Sequence, residues 1–212
     1  MEADFWHTRW ENAQIGFHEG NVNRMLAAHL EALPIAPGSR IFLPLCGKTR
    51  DIAWLLSRRY RVVGAELSEI AVQQLFDELP LVPRVTQDGP LKRYAAKGVD
   101  VLVGDIFDLT AETLGPVDAV FDRAALVALP GEMRGRYTDH IATITRNAPQ
   151  LLVTFEYDQS VMNGPPFSLS EAEVRGHYDA RYDITLLEDA EVKGGLKGVC
   201  PALEKAFLLM PV

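Results

Sequence analysis

Four short segments place polar or charged residues directly after apolar runs, and each offers a group that a small-molecule ligand needs. Glu66 ends the run Arg61–Glu66 (RVVGAE). A carboxylate at such a place accepts from both hydroxyls of a ribose, each charge-assisted bond being worth ~1.5–3 kcal/mol. Its alternative role is a solvated carboxylate at a helix entry. Asp105 follows Gly104 after the run DVLVG, with Ile106 and Phe107 next. An acid there suits an exocyclic amino group, and the apolar neighbours suit a flat ring; capping the next turn is the competing role. Asp122 and Arg123 close the run that begins at Val117. Arg123 presents a permanent fork of donors suited to a carboxylate, whether of a cofactor or of an anionic substrate; pairing with Asp122 at the surface is the competing role. Pro44-Leu45-Cys46-Gly47-Lys48 follows the run RIFLPL, and its one glycine permits a tight turn or the close approach of a ligand.

That last segment also excludes something. Dinucleotide sites carry G-x-G-x-x-G because the backbone must cradle a pyrophosphate, and the pattern is absent here. The loop argues against NAD and FAD and allows a ligand without phosphates, of which S-adenosylmethionine is one. Trp10 bears on the same ligand, since an indole face stabilises a sulfonium by ~0.5–2 kcal/mol; packing is the competing role. No Ser-His-Asp or Cys-His constellation is legible, and Cys46 reads as a small turn residue. Cys46 and Cys200 lack paired spacing and the five histidines form no HxxxH pair, so no metal is expected. No catalytic residue is assigned on this basis. Arg123 is the candidate for orienting a substrate, and Asp122 for supporting Arg123.

Strand ends of this kind need a sheet to hold them. Seven apolar runs read as strands: 40–45, 61–66, 100–104, 117–122, 151–156, 182–187 and 202–210. Helices are expected at 21–33, 49–60, 69–79 and 130–146, and after Ser170, with Ser68 a cap and Ser170 with Glu173 a capping box. Residues 80–96 are proline-rich and mixed, and carry no assignment. Continuous apolar strands separated by helices indicate a Rossmann-like, mostly parallel seven-stranded α/β sheet. Helices should cover both faces, and an antiparallel strand should close one end. Residues 1–20, with Phe5, Trp6, Trp10, Ile15 and Phe17, read as an arm or lid on a single domain spanning 1–212.

Composition narrows the partners. The net charge of −8 disfavours nucleic acid. No apolar run approaches the ~20 residues that a membrane crossing needs. The start is acidic and no apolar segment follows, so no signal peptide is expected and the cytoplasm is the expected compartment.

Taken in order, several motifs resemble one family. They are W-H-T-R-W (Trp6 to Trp10), F-L-P-L-C-G-K (Phe42 to Lys48), G-A-E-L-S (Gly64 to Ser68), G-D-I-F (Gly104 to Phe107), D-R-A-A-L-V-A-L-P (Asp122 to Pro130), T-F-E-Y-D-Q-S (Thr154 to Ser160) and G-P-P-F-S (Gly164 to Ser168). The set resembles the thiopurine S-methyltransferase family, in its bacterial form, over nearly the whole chain. Each motif alone is weak; their order and spacing are specific. The resemblance implies a class I methyltransferase fold, with S-adenosylmethionine as methyl donor and S-adenosylhomocysteine as product. It implies cofactor contacts at Trp10, Leu45, Glu66 and Arg123, and supports Asp105 and Ile106 beside the adenine. The strand ends point to Glu66 and Arg123 by themselves, whereas Leu45 comes from the resemblance alone. The implied reaction is S-methylation of aromatic and heterocyclic thiols by in-line displacement. The alternatives are a selenium or tellurium acceptor on the same fold, and a module that binds S-adenosylmethionine without catalysis. A small-molecule substrate and a monomer are expected.

Overall fold

Five of the apolar runs form the parallel centre of one sheet in the computed structural model, which describes residues 3–15, 20–123 and 125–212. The expectations that touch Phe17 and Ala124 lie outside the described residues. The central strands are β1 (Arg40–Pro44), β2 (Arg61–Glu66), β5 (Val99–Val103), β6 (Ala119–Arg123) and β7 (Gln150–Tyr157). A hairpin of β3 (Arg84–Asp88) and β4 (Leu91–Ala96) adds to one edge, and β8 (Tyr182–Glu191) and β9 (Ala202–Pro211) to the other. The order is β3-β4-β5-β2-β1-β6-β7-β9-β8. From β1 the chain winds first toward β2 and β5 and later toward β6 and β7. The strand order therefore reverses between β1 and β6, and a crevice opens there beyond the strands' carboxyl ends.

The expected class holds and all seven expected strands are present; the count becomes nine because residues 84–96 form an antiparallel hairpin whose second strand, β4, pairs antiparallel with β5. Three prolines mask that hairpin's period in the sequence. Its turn nevertheless carries an Asp88-Gly89 signal, with Gly89 at φ +60°.

Alternation along each strand builds two cores, one per face. Ile41, Leu43, Val62, Val101 and Phe121 join one, with Met25, Ile52, Leu55, Val72 and Phe76 from the covering helices. Phe42, Val63, Leu102, Val120 and Leu152 join the other, with Tyr137, Ile141, Val174 and Tyr178 above them. The helices are α1 (Ala3–Glu11), α2 (Arg24–His29), α3 (Arg50–Ser57), α4 (Glu69–Glu78), α5 (Ala111–Leu114), α6 (Gly131–Ile144) and α7 (Glu171–Tyr178). Helix α2 starts later than expected because Asn23 caps it, accepting from the N–H groups of Met25 at 3.0 Å and Leu26 at 3.1 Å. Ser68 caps α4 as expected, and Ser170 caps α7. The carboxylate of Glu173 is bonded to Arg134 instead of completing the capping box. Among the described residues no helix is long and apolar enough to cross a membrane.

Candidate functional site

The turn after β1 is where the chain departs most from regular geometry. Leu45 sits at φ +48° and Gly47 at φ +53°. Glycine occupies that region at little cost, whereas a leucine there stores ~1–3 kcal/mol and persists because its surroundings hold it. Part of that hold is visible. The N–H of Gly47 donates to Glu66 Oε2 at 2.7 Å, and the N–H of Cys46 donates to the Ala65 carbonyl at 3.0 Å. A Cβ on Gly47 would lie 3.3 Å from the indole of Trp10, so the ring rests directly on the turn. Trp10 is only 4% exposed, and α1 is thereby anchored at the crevice.

Glu66 is buried at the end of β2. Besides Gly47 it takes the N–H of Ser68 at 2.9 Å on Oε1, and the Leu67 N–H also favours its charged form. Burial pushes its carboxyl up, and these three N–H groups pull it back. They also fix its orientation. A carboxylate has about four acceptor positions, so capacity remains toward the crevice.

On β6, Phe121 and Arg123 face the crevice and Asp122 faces the opposite core. The two side chains leave the strand on opposite sides, because neighbouring strand residues alternate, so the surface pairing of Arg123 with Asp122 that stood as the competing role is not formed. Asp122 Oδ2 accepts from the Tyr137 hydroxyl at 2.7 Å, and its Oδ1 from the Leu126 N–H at 3.2 Å. Fully buried, its carboxyl rises to about 6, with the bonds from Tyr137, Leu126 and Ala125 pulling the other way.

The crevice has a volume of about 700 Å³. The turn Leu43–Thr49, Glu66 and Leu67 form one end; Phe121, Arg123, Val127 and Phe155 form the floor. Pro165 and Pro166 after β7, and residues 190–197 between β8 and β9, form the other wall. Trp6, Arg9 and Trp10 approach from α1. Four of the expected cofactor residues, Trp10, Leu45, Glu66 and Arg123, thus share one cavity. Asp105 and Ile106 are not among its lining residues. Asp105 is exposed and its Oδ1 caps the following turn, accepting from Phe107 N–H at 3.0 Å. Ile106 is 6% exposed within the core, and its carbonyl lies 2.8 Å from His140 Nε2.

One contributor escaped the sequence reading. Asp51 lines the crevice and is 2% exposed; its Oδ1 accepts the Asn23 N–H at 2.7 Å, its Oδ2 the Thr49 hydroxyl at 2.8 Å. This ties the starts of α2 and α3 to the turn after β1. The segment T-R-D at a helix start was the available signal. Cys46 also lines the crevice, but burial and the charge of Glu66 push its thiol well up. It packs where a Cβ on Gly64 would meet its Sγ at 2.7 Å, which suits a small residue at this turn.

The family model for thiopurine S-methyltransferase matches residues 1–199. The chain is 59% identical over 210 residues to the thiopurine S-methyltransferase of Xanthobacter autotrophicus, covering 99% of each chain. It is 46% identical over 210 residues to that of Gluconobacter oxydans, covering 99% of this chain and 96% of the relative. The chain belongs to the thiopurine S-methyltransferase family. Solved structures agree on the fold. The 1,6-didemethyltoxoflavin N1-methyltransferase of Burkholderia thailandensis, with 1,6-didemethyltoxoflavin and S-adenosylhomocysteine bound, superposes with a TM-score of 0.66 at 15% identity, over 98% of this chain and 87% of that one. A magnesium protoporphyrin IX methyltransferase from Synechocystis, with S-adenosylhomocysteine bound, gives 0.65 at 16% identity over 97% of each chain. As a member of the thiopurine S-methyltransferase family the chain has the class I methyltransferase fold, with a hairpin added beside β5.

Proposed function

We propose that this protein transfers a methyl group from S-adenosylmethionine to the sulfur of an aromatic or heterocyclic thiol such as a thiopurine. The observation that carries the reading is the gathering of Trp10, Leu45, Glu66 and Arg123 around one cavity at the strand-order reversal. The donor set fits a nucleoside without phosphates. Glu66 is oriented by backbone N–H groups and offers its remaining acceptor capacity to a ribose diol. The left-handed turn at Leu45 and Gly47 brings backbone close to the cavity without the glycine series that a pyrophosphate requires. Trp10 supplies an aromatic face for a positive sulfur. Asp105 and Ile106 flank the carboxyl end of β5 and would meet an adenine only from outside the cavity described.

S-adenosylmethionine supplies a methyl carbon on a positively charged sulfur, to which a thiolate bonds as the departing electron pair returns to the donor sulfur, leaving two neutral thioethers. An aryl thiol or thione is substantially ionised near neutral pH, so no strong general base is needed. The chain's work is then to position two reactants and exclude water, a contribution of up to ~7–11 kcal/mol. Arg123 offers a fixed charge to the donor's carboxylate or to an anionic acceptor. Helix α1 acts as a lid, since Trp6, Arg9 and Trp10 already form one side of the cavity. A small-molecule acceptor, a monomeric state and a cytoplasmic setting complete the proposal.

Methyl transfer from labelled S-adenosylmethionine to 6-mercaptopurine tests it, with Glu66→Ala beside the wild type. Loss of two charge-assisted bonds should weaken donor binding by about a hundredfold or more. No transfer by folded wild type rejects this acceptor, and selenium and tellurium species are then the acceptors to assay.

A further inference from the structure

We propose that the acceptor carries an anionic group, a carboxylate or an equivalent oxyanion, and that Arg9 and Lys197 receive it at the mouth of the cavity. The inference rests on the thiol-methylation reading and names the acceptor's chemistry. Six cations line the cavity, and two of them are visibly structural: Arg24 pairs with Glu188 at 2.8 Å and Lys48 with Glu78 at 2.9 Å. Arg9 and Lys197 differ. Among the described residues neither has a carboxylate within ion-pair distance.

Arg9 lies half-buried on α1, with its guanidinium 4.4 Å from the Phe5 ring centroid. Stacking uses the face of the group and leaves its edge donors, and Nε is buried with no hydrogen-bond partner. Lys197 is fixed from the other side. Leu196 beside it is 7% exposed and roots the loop in the core, and Lys197 Nζ donates to the Pro165 carbonyl at 2.7 Å. One carbonyl satisfies one of three ammonium donors. The two cations are close enough for the charge of Arg9 to add to burial in holding the Lys197 ammonium down. Asp51, Glu66, Glu191 and Glu204 line the same cavity, but none pairs with Arg9 or Lys197; like charges that approach each other with no carboxylate in ion-pair reach repel, and an anion between them removes that repulsion. The chain as a whole carries −8, so an anion needs such a local positive patch to approach.

Position assigns the anion to the acceptor. Glu66 and Gly47 belong to the ends of β2 and β1, whereas Lys197 is tied to Pro165 beyond β7, with β6 lying between. A group bound there sits away from the ribose end. Binding a remote carboxylate positions the reacting sulfur without touching it.

The test compares 2-mercaptobenzoate with thiophenol as acceptors, and measures S-adenosylhomocysteine affinity separately. The wild type should favour the carboxylate-bearing thiol. Arg9→Met and Lys197→Met should each cut the ratio of the two kcat/KM values about tenfold, mainly through KM for 2-mercaptobenzoate. Lys197→Arg should retain most of the preference, and S-adenosylhomocysteine affinity should stay within about twofold. No preference in the wild type, or an equal fall on both thiols, overturns the proposal. So does a fall in S-adenosylhomocysteine affinity with the ratio intact, which would give these cations to the donor. If neither thiol is methylated, the function reading fails by itself. Equilibrium binding of benzoate against benzyl alcohol to the S-adenosylhomocysteine complex then decides: a benzoate preference lost in the Met variants sustains the anion site, and its absence overturns it.

Discussion

Glu66 and Asp122 are both buried carboxylates at strand ends, and their surroundings give them different work. Glu66 meets three backbone N–H groups and keeps capacity toward the cavity. Asp122 is spent on Tyr137 and on the turn that carries Leu126, Val127 and Ala128 past the crevice floor. Its folded pKa of about 6 lies above the ordinary 3.8. A raised carboxyl favours the protonated folded state, so its contribution is complete below the unfolded value and is lost as pH climbs through about 6. The loss by neutral pH is ~3 kcal/mol in order of magnitude. Asp122→Asn should therefore flatten the stability profile between about pH 4 and about pH 7, read by urea unfolding at both ends. The amide should leave methyl transfer within a few-fold of the wild type, because its oxygen can still accept from the Leu126 N–H while its NH2 donates to the Tyr137 hydroxyl. An unchanged slope would remove Asp122 from the pH account. Glu66 was legible because an acid ending a parallel strand has few structural reasons to be there. Leu45 was not, since nothing in a leucine announces a left-handed backbone; its signal was the company of Pro44 and Gly47. The competing role for Arg123, pairing with Asp122, runs against the strand's period of two, which the sequence itself contains.

At the level of elements, the turn from β1 to α3 does most of the positioning, and it is held by residues far along the chain. Trp10 of α1 presses on Gly47, and Glu66 of β2 bonds the same residue. Gly47→Ala would put a Cβ 3.3 Å from the indole at φ +53°. The backbone term alone is ~1–2 kcal/mol, and displacement of the ring should weaken donor binding as well. Calorimetric titration with S-adenosylhomocysteine reads the second effect, and undiminished affinity would show that the ring's seat is not needed. Trp10→Ala should cost about tenfold or less if the face toward the donor is what is lost. Hydrogen exchange over residues 3–15 should fall when S-adenosylhomocysteine binds; no added protection would end the lid proposal. The central strands could be placed from sequence because burial on both faces leaves unbroken apolar runs. The hairpin β3–β4 could not, since its strands are short and half-exposed, with Pro80 and Pro83 ahead of it and Pro90 in its turn.

Across the whole molecule, one sheet separates two cores, and the crevice forms where both meet the reversal between β1 and β6. Strands from residue 40 to residue 211 contribute to that sheet, and none of its five central parallel strands can unfold without exposing core on both faces. A single unfolding transition is expected. The cavity draws on α1, on the ends of β1, β2, β6 and β7, and on the loop before β9, so a ligand bound in it bridges early and late parts of the chain. Saturation at about one hundred times Kd adds ~2.7 kcal/mol to the folded state. For a chain of this size each kcal/mol moves the melting temperature by ~2–4 °C, so S-adenosylhomocysteine should raise it by ~5–11 °C in one step. Glu66→Ala should lose most of that shift at the same ligand concentration while melting at nearly the same temperature without ligand. The bonds it forfeits serve the turn only in part, and removing the buried carboxylate also removes its desolvation cost. Two separate transitions, or a shift confined to one of them, would mean that the two halves of the sheet fold independently and that the cavity joins units instead of belonging to one.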